Sequence, residues 1–121
     1  MSIPNEALQK LLQEIETRAV ASQQQISLTK AHMTAKQREI RMLQLTSKEL
    51  SELPSETKVY EGVGKMFVNL PIDNVNKRLT RESSEATAEI VNLEKKLQYH
   101  ETTNQKSREN LEQILKSGGR A

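Results

Sequence analysis

Two stretches of this sequence keep a three-and-four spacing of mainly apolar residues for ten steps and more. No other feature limits the fold as strongly. From Leu8, alternating steps of four and three visit Leu8, Leu12, Ile15, Ala19, Ser22, Ile26, Thr29, Met33, Lys36, Ile40, Leu43 and Ser47, and eight of the twelve are apolar. The same spacing recurs through Asn76, Leu79, Ser83, Ala86, Ile90, Leu93, Leu97, His100, Asn104, Ser107, Leu111 and Ile114, seven of them apolar. A sustained 3.5-residue period is the seam of a coiled coil, narrower than the stripe of a helix that packs on a globular core. Neither proline nor glycine interrupts residues 5–45. Asn5 is the expected N-cap of the first helix, Asp73 that of the second, and Gly118-Gly119 its end. Each helix would span roughly 60 Å, and neither is stable in water with its seam exposed.

The two seams are equal in length and joined by a short middle, which predicts an antiparallel hairpin of helices. Folding back pairs Leu43 with Leu79, Met33 with Ile90 and Ile26 with Leu97, and brings Leu8 and Leu12 to Leu111 and Ile114. The weak seam positions then coincide as well: Ser22 with His100, Ala19 with Asn104, Ile15 with Ser107. That coincidence predicts a firm base near the middle of the chain and a looser, mobile arm toward the termini.

Composition agrees with a chain that lacks an ordinary core. Of 121 residues, 35% are apolar and three are aromatic, too few for a compact globular interior. Charged residues make up 28%, yet they sum to only +2, which reads as a solvated surface and not as a nucleic-acid binder. Cysteine is absent, so disulfides, a thiol nucleophile and a cysteine-based zinc site are all excluded. No apolar run exceeds three residues, so a membrane span is not expected, and the N-terminus lacks the pattern of a secretory signal. The expected location is the cytoplasm, with the nucleus as a second compartment.

Between the helices the character changes. Thr46-Ser47-Lys48-Glu49 has the spacing of a capping box and predicts a short helical turn to Leu53, stopped by Pro54. Thr57–Tyr60 and Lys65–Leu70 have strand composition. A two-residue turn at Gly62-Val63 would set Val59 opposite Met66 and Thr57 opposite Val68, while a turn at Val63-Gly64 would exchange those partners. The first puts Val59, Met66 and Val68 on one face and Tyr60 and Phe67 on the other. An isolated two-stranded hairpin is marginal, and both its edges carry unpaired backbone groups. Both helices spend their seams on each other, so other chains must supply the missing strands. The whole of 1–121 thus reads as one mainly α domain: helix 5–45, a middle segment 46–72 with the helical turn and β-hairpin, helix 73–117, and a tail 118–121.

The run Val59-Tyr60-Glu61-Gly62-Val63-Gly64-Lys65-Met66-Phe67, set between two long helices, resembles the β-type prefoldin subunits of eukaryotes. The single hairpin fits that type, because α-type subunits carry two. The resemblance covers the whole chain in architecture and is specific in these nine residues. It implies a heterohexamer of two α-type and four β-type subunits, joined through hairpins into two β-barrels from which the coiled coils hang. It also implies an ATP-independent holdase that captures unfolded polypeptides, actin and tubulin among them, and delivers them to the cytosolic chaperonin. Carried over by position, subunit assembly falls to Val59, Tyr60, Val63, Met66, Phe67 and Val68, with Gly62 and Gly64 forming the turn. Client-binding tips fall to Leu8, Leu11, Leu12, Ile15, Leu111, Ile114 and Leu115. Leu11 and Leu115 lie off the seam and give the tip more apolar surface than one interface needs.

Blander readings stand beside these. The tip leucines would also close the end of a coiled coil, and a homodimeric tethering protein would share both seams. Gly62-Val63-Gly64 lacks the third glycine and the following helix of a dinucleotide loop, since Phe67 stands in that place. His32 and His100 fall far apart in the hairpin register, so a metal site is not expected. No paired carboxylates or activated nucleophile emerge, so neither catalysis nor a cofactor is expected. Lys36, Arg38 and Arg41 face Lys77, Arg78 and Arg81 across the hairpin as a basic collar. It reads either as a solvated face paired with Glu39 and Glu82, or as a docking patch for an acidic surface.

Overall fold

A computed structural model describes residues 4–118. Its elements are α1 (Asn5–Ser51), β1 (Val59–Val63), β2 (Met66–Leu70) and α2 (Ile72–Gly118). The chain divides into two compact units, residues 33–92 in one and the stretches up to His32 and from Leu93 in the other.

In the unit of residues 33–92, the seam has the expected membership. Met33, Lys36, Ile40 and Leu43 of α1 are half-buried, and on α2 Leu79 and Ala86 are buried, with Asn76, Ser83 and Ile90 half-buried. The antiparallel register is visible in one bond: Lys36 Nζ lies 2.8 Å from a carboxylate oxygen of Glu89 on the other helix. That places residue 36 beside the turn 86–90, as pairing Met33 with Ile90 requires. Ser47 departs from the pattern and is exposed.

The unit of residues 4–32 and 93–118 follows the same period. Leu8, Leu12, Ile15 and Ala19 are half-buried on α1, as are Leu93, Leu97, His100, Asn104, Leu111 and Ile114 on α2. Two of the positions expected to be weak, Ser22 and Ser107, are nonetheless well covered, while Ile15, Ala19, His100 and Asn104 are half-buried. Ser22, Thr29 and Ser107 are buried alongside Ile26, more completely than the leucines around them. Short side chains let two helices approach closely, whereas most leucines at this two-helix seam keep a flank in water. Full burial of a leucine or isoleucine would contribute about 1.5–3 kcal/mol, and most seam residues here gain only part of that.

Both helices start on a proline carbonyl. The amide of Leu8 donates to Pro4 O (2.9 Å), and those of Asn74 and Val75 donate to Pro71 O (3.1 and 3.2 Å). Pro4 and Pro71 therefore hold the capping positions, which corrects the assignment of Asn5 and Asp73 as N-caps. Asn5 is the first helical residue and Asp73 the second of α2, where its charge still favours the helix N-terminus. Proline also keeps the residue before it extended, so β2 ends at Leu70 and α2 begins two residues later without a loop.

The separate helical turn expected from Thr46 does not form. α1 runs on unbroken to Ser51, and the Thr46 hydroxyl donates to Met42 O at 2.8 Å, a bond made within a continuing helix. A capping-box spacing carries no boundary when the preceding residues already satisfy the backbone. The helix closes with the Ser51 hydroxyl donating to Lys48 O (2.7 Å) and Leu53 N donating to Leu50 O (3.3 Å). Pro54 then opens a turn closed by Thr57 N donating to Pro54 O at 3.0 Å.

The strands pair Val59 with Leu70, Tyr60 with Asn69, Glu61 with Val68, Gly62 with Phe67 and Val63 with Met66. The turn is therefore Gly64-Lys65, and neither expected turn is correct. Gly64 has φ of 61°, the left-handed conformation that a primed hairpin turn requires at its first centre. Gly62 is a strand residue, and a Cβ built on it would sit 3.8 Å from Phe67 Cε1, an ordinary contact. Its role as a turn residue is corrected accordingly. Moving the turn by two residues leaves every side chain on its expected face, because strand side chains alternate with period two.

Candidate functional site: an uncovered hairpin and an arm with spare apolar residues

The hairpin is the least self-sufficient part of the unit that holds it. Its two strands form a sheet with no third member among the described residues, so both outer edges carry unpaired backbone groups. Opposed residues share a face, so Val59, Glu61, Val63, Met66, Val68 and Leu70 lie on one and Tyr60, Gly62, Phe67 and Asn69 on the other. Both faces carry apolar residues in water. Phe67 is 77% exposed, Met66 68%, Tyr60 59% and Val63 53%, with Val68 exposed to a lesser degree. Only Val59, Glu61 and Leu70 are half-buried. Of the six residues assigned to assembly, five are thus left open, and Val59 is engaged with its own chain.

One charge stands on the apolar face, and it anchors the hairpin. Glu61 is ion-paired with Arg78 of α2, which also approaches Glu82 at 3.8 Å. The Arg78 Nε is buried and makes no hydrogen bond. Sequence reasoning assigned Arg78 to a collar and gave Glu61 no role. The available signal was a lone acid at an inward position of an otherwise apolar strand face, which requires a cation nearby.

The basic collar resolves into two populations. Lys36 bonds Glu39 at 3.1 Å as well as Glu89, and these hydrogen bonds, Glu89 first, hold its ammonium above the usual lysine pKa. Arg78 is likewise engaged, so the pairing with Glu39 and Glu82 expected from sequence is present and two further acids join it. Arg38, Arg41, Lys77 and Arg81 are exposed and make no ion pair among the described residues.

In the other unit, the tip residues divide by the seam. Leu8, Leu12, Ile15, Leu111 and Ile114 are half-buried, while Leu11 (37%) and Leu115 (55%) are exposed, as positions off the seam should be. Val20 and Leu28 form a second exposed apolar pair on the outer surface of α1, unforeseen because they fall outside the period. His32 is exposed, and His100 packs edge-on against Tyr99 with ring centroids 5.3 Å apart. Among the described residues no three His, Asp or Glu side chains gather where they could hold a metal, and no helix is long and apolar enough to cross a membrane.

A strand pair open on both faces and both edges, carried between two seamed helices, is an arrangement shared with known proteins. The profile of the prefoldin subunit family matches residues 13–118. The chain belongs to that family. It is 34% identical over 110 residues to the probable prefoldin subunit 1 of Schizosaccharomyces pombe, a match covering 91% of this chain and 98% of that one. It is 28% identical over 108 residues to prefoldin subunit 1 of Homo sapiens, covering 89% and 88% respectively. The crystal structure of the prefoldin beta subunit from Thermococcus strain KS-1 superposes with a TM-score of 0.69 over 96% of each chain, at 23% identity. That likeness establishes the prefoldin β fold: two long helices with one antiparallel hairpin between them. Membership makes the chain a prefoldin chaperone subunit, which assembles with other prefoldin subunits.

Proposed function

We propose that the chain acts as one β-type member of a prefoldin heterohexamer of two α-type and four β-type subunits, an ATP-independent holdase working in the cytoplasm and also in the nucleus. Val63, Met66, Val68, Tyr60 and Phe67 contribute to a β-structure shared with neighbouring subunits, and Val59 supports it from beneath. Unfolded polypeptides, including actin and tubulin, are captured at the arm tips and passed to the cytosolic chaperonin. Leu11 and Leu115 meet them first, with Leu8, Leu12, Ile15, Leu111 and Ile114 available when the seam parts. Non-directional apolar contacts suit a binder that accepts varied sequences.

The observation that carries this reading is the hairpin, where large apolar side chains stand in water on both faces at once. The test is a Val63→Asp/Met66→Asp variant. Both side chains are exposed in the single chain, so it should keep the helical circular dichroism of the wild type. Native mass spectrometry should find the wild-type chain in a hexamer and the variant outside it. The wild-type complex should suppress aggregation of a denatured polypeptide without ATP. A variant that enters the hexamer normally, or a wild-type complex that holds no client, defeats the reading.

A further inference from the structure

Beside the hairpin, within residues 33–92, the two helices part to leave an open groove of about 680 Å³. Its floor is Leu43 and Leu79, and its walls include Gln44 from α1 and Thr80, Ser84 and Thr87 from α2. Ser47 also lines it, which accounts for the one seam position left in water.

The two sides of this unit differ in charge. Thr80 and Thr87 follow the seam residues Leu79 and Ala86, whereas Glu82 and Glu89 precede Ser83 and Ile90 and so flank the seam on the opposite side. There Glu82 and Glu89, with Glu39, meet Arg78 and Lys36. On the groove side, Arg41, Gln44 and Lys48 share one ridge of α1 at spacings of three and four. Lys77, Thr80, Ser84 and Thr87 share one ridge of α2 in the same way. The groove is thus rimmed by three exposed cations, and no carboxylate lines it. Glu52 and Asp73 lie one turn beyond Lys48 and Lys77 toward the hairpin, and no ion pair among the described residues joins them to those lysines.

We propose that this groove is a second contact surface within the prefoldin assembly, and that it receives the acidic outer face of a helix from an adjacent prefoldin subunit. Small hydroxyl side chains admit the ridge of a second helix deeply, as ridges-into-grooves packing requires. Arg41, Lys48 and Lys77 supply the charges that acidic side chains on that ridge would meet. The groove belongs to the same unit as the hairpin, so a neighbour held by the hairpin is the partner within reach. This inference rests on the assembly proposed above. It adds a contact that the β-structure does not need.

The test uses the assembled complex. A photo-crosslinking amino acid in place of Thr80 should join this chain to one neighbouring subunit at a peptide rich in Asp and Glu, whereas the same group in place of Glu85 should not. An Arg41→Glu/Lys48→Glu/Lys77→Glu variant should still enter the hexamer. It should exchange out of it about tenfold faster than wild type at low salt, because interface changes act mostly on dissociation. At about 1 M salt, where the Debye length falls to ~3 Å, the two should exchange alike. Reversal of Lys95 and Lys96, exposed cations outside the unit that holds the groove, should leave exchange unchanged. An intact hexamer without the Thr80 crosslink overturns the groove contact and leaves the assembly reading standing. Crosslinks to a client or to nucleic acid, or equal exchange at both salts, overturn it too. Failure of the wild-type chain to form any complex overturns both readings.

Discussion

Gly62 and Gly64 are two residues apart in a nine-residue motif, and the backbone treats them differently. Gly64 takes φ of 61°, a conformation in which an L-side chain costs about 1–2 kcal/mol, while Gly62 has ordinary strand geometry and room for a Cβ beside Phe67. Gly64→Ala should therefore speed hydrogen exchange of the hairpin amides in the full chain by about 5–30-fold. Gly62→Ala should leave exchange unchanged or slow it, because glycine weakens strands by roughly 0.5–1 kcal/mol relative to alanine. Equal effects of the two substitutions would contradict the register with Val63 opposite Met66.

At the scale of the elements, α1 and α2 are long helices whose polar seam residues are used and not merely tolerated. Lys36 occupies a seam position and bonds one carboxylate on each helix, which ties the register of the pair to a single side chain. Its pKa is raised by the hydrogen bonds to Glu89 and then Glu39, above the ordinary 10.5. A raised lysine pKa contributes stability that is fully present below the unfolded value and is lost as pH climbs through the folded one. The difference in thermal midpoint between wild type and Lys36→Gln should thus stay constant from about pH 7 to about pH 9. Above the ordinary lysine value of 10.5 the wild type should lose its advantage. Thr46 makes a separate case. Because it sits within α1 and caps nothing, Thr46→Ala should shift the midpoint only slightly and upward, whereas loss of a true N-cap would cost about 1 kcal/mol.

At the scale of the molecule, two units hold different resources. One carries the open hairpin and the groove, and the other carries the tip residues beside its seam. Half-buried leucines are poor probes of client capture, since replacing them also weakens the helix pair. Leu11 and Leu115 are better, because their exposure makes them dispensable to the fold. A Leu11→Ser/Leu115→Ser variant should assemble normally and melt within about 0.5 kcal/mol of wild type, as surface substitutions do. It should also protect a denatured client less well in a light-scattering assay. Full protection would move client capture elsewhere, with the exposed Val20 and Leu28 next in line.

The seam membership and the hairpin faces were legible in the residues alone. Periods of 3.5 and 2 are properties of the local backbone, so they assign a face without knowledge of any partner; even a turn misplaced by two residues kept Val59, Met66 and Val68 on one side. Other features depend on groups far apart in the chain or on alternatives close in energy. The end of α1 at Ser51 and the proline carbonyls as caps required competing local bonds to be compared in place. Which glycine turned the hairpin required the two strands to be aligned. The Glu61–Arg78 and Lys36–Glu89 pairs, and the groove opened by Ser47, exist only where two helices and a strand meet. Sequence by itself determined which residues face a partner. Tertiary structure decided which partners lie within the chain and which surfaces remain for others, because an ion pair or a groove is a matter of distance, and periodicity carries no distances between elements.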